Sequence, residues 1–185
     1  VGAAQIQNRG TIGGNICNAS PAGDTLPVLL AVDAVFECAS TTGVREVPAR
    51  EFWTGYRQTA LRDDELLVRI RFVVDRARHT RYRKVGTRAA QAISKVVIAL
   101  SYREDEEVWR DVRVALGSVA PTTIRAAATE AVLEGTRPGE AVADEAARVL
   151  AEEIKPIDDV RSTADYRRSV SARVLHRLLR QEGGW

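Results

Sequence analysis

The sequence contains no methionine, only two cysteines and two histidines, and 5% aromatic residues. Cys17 and Cys38 are too few for the disulfide framework of a small secreted domain, so both are read as reduced thiols. They cannot hold an iron–sulfur cluster alone, since such clusters take four ligands. His79 and His176 have no partners at metal-ligand spacing, and each reads as structural or solvent-exposed. No apolar run approaches the roughly 20 residues of a membrane span, and no signal peptide opens the sequence. A charge excess is lacking as well. Lys and Arg number 27 against 25 Asp and Glu, a net charge of +2, so nothing global draws the chain to nucleic acid or membrane. The G-x-x-x-x-G-K-[ST] loop is absent, and so is the Rossmann spacing G-x-G-x-x-G. No Ser–His–Asp or Cys–His arrangement is readable, Asp63-Asp64-Glu65 and Glu104–Glu107 read as acidic turns, and no repeat or low-complexity tract occurs. These exclusions leave an ordinary globular, cytoplasmic protein of one generous domain or two small ones.

What is present is concentrated near the start. Residues Gln7 to Pro27 read QNRGTIGGNICNASPAGDTLP. Gly10, Gly13 and Gly14 lie among short polar and turn-forming residues: Thr11, Asn15, Asn18, Ser20, Pro21 and Asp24. Glycine lets backbone N–H groups approach a ligand with no Cβ in the way, and successive exposed N–H groups form a concave nest for phosphate. The spacing predicts a loop over Thr11–Asn18 with the Gly13 and Gly14 amides facing one concave surface. Asp24 adds a carboxylate that can accept from a sugar hydroxyl. The inventory suits a nucleotide diphosphate.

The stretch TIGGNICNASPAGDTLP resembles the second flavin-binding segment of the FAD subunit of molybdenum hydroxylases, the family of xanthine dehydrogenases, aldehyde oxidoreductases and aerobic CO dehydrogenases. VALGSVAPTTIRAAATEAVLEG and IKPIDDVRSTADYRRSV resemble the C-terminal domain of the same subunits. The resemblance implies an α+β chain: the second half of a PCMH-type FAD-binding domain over residues 1–75, then a CO dehydrogenase flavoprotein C-terminal domain over 76–185, an antiparallel sheet with a three-helix bundle. It implies FAD as cofactor. A molybdopterin-binding large subunit with the molybdenum cofactor and a small subunit with [2Fe–2S] clusters would be the partners, and NAD⁺, oxygen or a quinone the acceptor. Family members carry a further nucleotide-binding subdomain before this point. With that part missing and no methionine, the expectation is a truncated chain, a proteolytic product or a partial gene reading, binding FAD weakly by itself.

By the same resemblance the segment from Thr11 to Asn18 wraps the flavin, with Gly13, Gly14 and Asn15 by the pyrophosphate and Cys17 and Asn18 near the isoalloxazine or ribityl chain. Asp24 would contact a flavin hydroxyl or the ring; from its position it can equally cap the helix beginning near Pro27. Leu67, with Leu66, would place an aliphatic group against the flavin, whereas pattern alone makes it strand core. Lys84 would lie at the flavin's polar edge, whereas pattern alone makes it a solvated lysine in the basic run Arg76 to Arg88. That run with Tyr82 also fits a nucleic-acid patch, against which the balanced charge argues. A subunit that docks to partners without holding flavin is the other reading.

Along the chain, Val28–Val32 reads as a helix, Ala34–Ala39 and Val44–Val47 as a hairpin, and Arg50–Leu61 as a short helix or irregular segment. Leu66, Val68, Ile70 and Phe72 alternate as one buried face of a strand. Val74–Thr80 is placed at the domain boundary. Ala92–Arg103 and Val108–Val119 are expected to pair as antiparallel strands, with helices over Arg125–Leu133, Glu140–Glu153 and Ala164–Gln181. In the last helix the apolar stripe runs through Tyr166, Val170, Val174 and Leu178, and Ser162 with Asp165 makes a capping box.

Overall fold

The computed structural model describes residues 2–89 and 91–185. The β-rich runs of the second half form the larger sheet. Its strands are β6 (Arg78–Val85), β7 (Val96–Asp105), β8 (Val108–Gly117) and β9 (Ile124–Arg125), antiparallel throughout and ordered β6-β7-β8-β9. β7 and β8 pair as the sequence predicts. The turn between them holds Glu106 and Glu107 with φ of 49° and 66°, the left-handed pair that a two-residue hairpin turn requires. Val96, Ile98, Leu100 and Tyr102 of β7 share the face covered by α5 (Ala127–Leu133), α6 (Glu140–Glu153) and α7 (Ala164–Gly183). Trp109 stacks on Tyr102 at 3.6 Å, and His79 lies on Tyr102 at 5.0 Å.

β6 corrects the reading of a solvated basic run after a linker. The run is an edge strand whose alternate residues serve two neighbours. Arg81 reaches Glu182 of α7 at 2.6 Å on one face, while Arg78 on the other pairs with Asp111 and donates to Ser101 Oγ at 3.1 Å. Its charges looked like solvent contacts because the carboxylates that pair with them lie far away in sequence.

α7 starts one residue later than the Ser162 box implies. Thr163 Oγ1 accepts from the Tyr166 amide at 3.2 Å, and Asp165 pairs with Arg168 instead. Ser162 is held in a tight backbone bridge to Asp159. The buried face is also rotated from the expected stripe. It runs through Arg167, Ser171, Leu175, Leu178 and Leu179, with Val170 and Val174 half-buried and Tyr166 41% exposed. Arg167 sets this rotation: it donates to the Ser118 carbonyl at 2.6 Å and pairs with Asp159 at 2.8 Å.

The first half is built from shorter pieces. α1 (Ala4–Gln7), α2 (Ile12–Cys17) and α3 (Leu26–Ala31) precede a three-stranded antiparallel sheet ordered β2-β1-β5, from β1 (Val35–Ser40), β2 (Gly43–Pro48) and β5 (Leu66–Arg71). Between β2 and β5, α4 (Ala49–Phe52) leads into a small hairpin, β3 (Trp53–Gly55) and β4 (Gln58–Thr59). Phe36, Phe52 and Trp53 meet edge to face with centroids 4.8–5.8 Å apart, the favoured aromatic geometry.

The strict alternation expected for β5 does not hold. Phe36 faces Ile70 and Cys38 faces Leu67, so Val68 is the extra residue of a bulge. Leu67 and Ile70, three apart, therefore both pack on the core, while Leu66, Val68 and Phe72 are exposed. Beside this strand, Glu65 is a nearly buried carboxylate clamped by Arg45 at 2.6 and 2.7 Å and by the Arg62 amide at 2.8 Å. These hydrogen bonds, Arg45's first, hold its pKa down to about 2.

The two halves meet across a polar and apolar seam. α3 lies on the outer face of β7 and β8, and Ala99 and Ala115 join the first half's core. The Ser118 amide donates to Pro21 O at 2.8 Å, Ser94 Oγ donates to Ala22 O at 3.2 Å, and Arg113 and Arg125 both pair with Asp33. Gly117 permits this approach: a Cβ there would meet Pro21 O at 3.1 Å and Pro27 Cγ at 3.2 Å.

Candidate functional site

The glycine stretch does not form the expected loop. Ile12–Cys17 is a short helix, with Gly13 and Gly14 in its first turn. Thr11 makes it so. Its backbone is extended, and its Oγ1 accepts from the Gly14 amide at 2.9 Å, as an N-cap does. The Gly14 amide is thereby taken, and the two-glycine phosphate nest is not present in this form. A Cβ on Gly13 would meet only Leu67 Cδ2 at 4.0 Å, so the outer face of that turn is open.

The expected site residues fall into a chain of contacts and an outlying group. Gly13 borders Leu67. Asn15 Oδ1 accepts from Thr25 Oγ1 at 2.5 Å, which fixes α2 to the start of α3. Next to Thr25, Asp24 pairs with Lys84 Nζ of β6 at 2.6 Å. Asp24 and Lys84 thus join the two halves of the chain, and Asp24 is not a helix cap. Asn18 turns away to accept from Arg57 at 3.0 Å, and Cys17 is exposed, its thiol pKa raised by partial desolvation. Cys38 is buried and free.

One participant was not among the expected flavin contacts. Tyr82 lies two residues before Lys84 on β6, on the same face of the strand. Its hydroxyl is buried without a hydrogen-bond partner, as is the second carboxylate oxygen of Asp24. Desolvation first, and then the Asp24 charge, push the Tyr82 pKa up to about 12. The signal that could have found it is period-2 placement with Lys84, available once the basic run is read as a strand.

Buried polar groups are ordinarily hydrogen-bonded. Here the Asp24 and Tyr82 oxygens, both shielded from solvent, lie at the Asp24–Lys84 ion pair without partners of their own. Unpartnered donor and acceptor oxygens beside a lysine fit the polar edge of a flavin ring. Among the described residues no group of three or more His, Cys, Asp or Glu could hold a metal ion, and no helix is long and apolar enough to cross a membrane.

The fold is that of a two-part α+β protein with its candidate site beside the seam between the parts. Comparison with known families gives that class its place. Residues 1–72 match the FAD binding domain in molybdopterin dehydrogenase, and residues 81–181 match the CO dehydrogenase flavoprotein C-terminal domain. The chain belongs to this family of molybdenum hydroxylase flavoproteins. It is 33% identical over 92% of its length to the glyceraldehyde dehydrogenase medium chain of Sulfolobus acidocaldarius, covering 60% of that protein. It is also 33% identical to the carbon monoxide dehydrogenase medium chain of Hydrogenophaga pseudoflava, over 95% of its own length and 61% of that protein's. The solved carbon monoxide dehydrogenase from Hydrogenophaga pseudoflava superposes with a TM-score of 0.91 at 31% identity, over 96% of this chain and 62% of that one. Quinoline 2-oxidoreductase from Pseudomonas putida 86 gives 0.90 at 26% identity, over 100% and 64%. The chain therefore spans about 60% of the length of the curated relatives it matches.

Proposed function

We propose that this chain is the FAD-binding, electron-transferring part of a cytoplasmic molybdenum hydroxylase. Electrons would arrive from the [2Fe–2S] clusters of a small partner subunit, having left a substrate at the molybdenum cofactor of a large subunit. They would depart to NAD⁺, oxygen or a quinone. The observation that carries the reading is the convergence of Asp24, Tyr82 and Lys84, with two buried oxygens lacking partners. The flavin, when bound, supplies the redox chemistry, and the protein supplies binding, orientation and electrostatics.

The chain's own residues have distinct tasks in this reading. Gly13, in the first turn of the short helix, is offered to the pyrophosphate, while Thr11, Gly14 and Asn15 hold that turn through their own hydrogen bonds. Leu67 sets an aliphatic wall beside Gly13, with Cys17 and Asn18 at the outer rim. The free oxygen of Asp24 accepts a hydrogen bond from the ligand. Lys84 places a positive charge where the reduced ring edge gathers negative charge, which favours reduction. Substrate class and acceptor lie with the rest of the assembly.

Two of the expected phosphate contacts, the Gly14 and Asn15 amides, are already taken within the short helix, so binding by this chain alone should be weak. Each charge-assisted hydrogen bond is worth about 1.5–3 kcal/mol, and lacking two of them weakens binding by roughly a hundredfold or more. Titration of the chain with FAD, followed by flavin fluorescence, tests the site. Micromolar or weaker affinity that is lost on Asp24→Ala is expected, and binding indifferent to Asp24 and Lys84 removes the assignment. The capped Gly14 amide favours a second reading, a docking subunit without flavin. A colourless protein from the complete complex would select it.

A further inference from the structure

We propose that the outer face of α7 is a docking surface for an acidic, carboxylate-bearing surface of a partner protein. Arg173, Arg177 and Arg180 are spaced four and three apart, so they share one exposed face of the helix. Arg83 of β6 joins them through Gln181, to which it donates at 3.5 Å. Among the described residues none of these four guanidiniums has a carboxylate partner; the Arg180 contact is to the Trp185 carbonyl at 3.0 Å.

Elsewhere among the described residues, Arg9, Arg57, Arg76 and Arg110 also lack a carboxylate partner but are scattered along the chain, whereas these four gather on and beside one helix face and most other arginines are paired. Arg148 of α6 is clamped by Glu145 and Glu152, both at 2.7 Å. Arg45, Arg81, Arg103, Arg113 and Arg125 each meet a carboxylate within 3.0 Å. The helix dipole accounts for Arg180, which lies in the last turn. It does not account for Arg173 and Arg177, further up the helix, where like charges at a spacing of four disfavour the helix that carries them. The nearby carboxylates are already engaged: Glu182 by Arg81 and Tyr102, Asp144 by His176 and Asp165 by Arg168. The cationic strip is thus narrow and bordered by negative charge. A partner of mixed, locally acidic charge fits such a border, whereas a continuous polyphosphate would meet the flanking carboxylates. At its C-terminal end the strip opens on a shallow hollow of about 570 Å³ lined by His176, Arg177, Arg180, Gln181, Gly184 and Trp185, room for a partner side chain.

The experiment uses the full chain, isotope-labelled, titrated with an oligo-glutamate peptide and separately with a duplex DNA oligonucleotide. Expected are peptide-induced resonance shifts confined to Arg83 and the Arg173–Gln181 face, an affinity that falls as salt rises, and about tenfold or greater weakening in the Arg173→Glu/Arg177→Glu variant. The milder Arg173→Gln/Arg177→Gln variant should weaken it less, with an unchanged melting curve in both. Shifts elsewhere, equal binding by both variants, tighter binding of the DNA, or a self-association that the variant abolishes each overturn the proposal. The result does not depend on flavin binding, because FAD affinity measured on the same variants reports the other site.

Discussion

The two halves of this chain reach stability by different routes. The second half has two ten-residue strands and helices with continuous buried faces, and its core draws on every element from β6 to α7. The first half consists of short helices and short strands, gathers its core around Phe36, Phe52 and Trp53, and takes Ala99 and Ala115 from its neighbour to complete it. It also leaves Leu66, Val68, Phe72, Val73 and Val74 largely exposed, Val73 at 82%. A self-contained scaffold therefore supports a partial one, and the candidate site lies where the partial half leans on the scaffold. Loosely held elements beside a rigid support are the usual setting of binding sites.

The sharpest way to break this contrast is a pair of leucines. Leu178→Ala should cost about 2–5 kcal/mol in urea unfolding, because Leu178 is 1% exposed in the second core. Leu66→Ala, at 72% exposure, should stay within about 0.5 kcal/mol. Equal costs would show that β5 is covered in solution. The seam comes next. Gly117→Ala should cost about 1–3 kcal/mol by overpacking against Pro21 and Pro27 and should weaken FAD binding together with stability. A loss of stability with FAD affinity intact would mean that the site does not depend on the seam. The helix caps follow. Thr163→Ala should cost about 0.5–2 kcal/mol, whereas Thr11→Ala, at an exposed position capping a six-residue helix, should cost a few tenths at most and mainly alter the Gly14 amide's exchange rate.

The smallest effect is a slope with pH. The Glu65 pKa lies at about 2, below its ordinary value of 4.5, so within that interval the unfolded chain binds the extra proton. Stability from this carboxylate is fully present above about pH 4.5 and is lost as the pH falls toward 2. Glu65→Gln should flatten the acid limb of a denaturation curve between those values. An unaltered limb would place the acid sensitivity of the first half elsewhere.

Legibility in the sequence followed the same division. α6 matches its sequence-predicted span, and the β7–β8 hairpin was readable because its strands are long and apolar and the turn between them is acidic. What escaped depended on partners remote in sequence. β6 was hidden because Arg78, Arg81 and Lys84 find carboxylates at positions 111, 182 and 24. The bulge at Val68 could not be inferred from a pattern that continued to alternate. The α7 face was misread because Arg167 is held inward by a carbonyl at position 118. For the site, resemblance supplied Asp24, Leu67 and Lys84; contact in the structure ties Asp24 to Lys84 and Leu67 to Gly13, and adds Tyr82. The glycine pair read as a loop because it lies among short polar, turn-forming residues with amides free to approach a ligand, and it was the Thr11 cap that decided otherwise.

The placement of the tryptophans has a practical consequence. Trp53 sits in the first core with its indole N–H donating to Ile16 O at 3.1 Å, while Trp109 is stacked face to face on Tyr102 in the second. Each half thus carries its own optical reporter, one sensitive to release of the glycine helix from its corner and the other to unstacking of an aromatic pair. With Trp185 replaced by Phe, and then one of the remaining two, fluorescence can follow each half of the same molecule separately during unfolding or ligand addition.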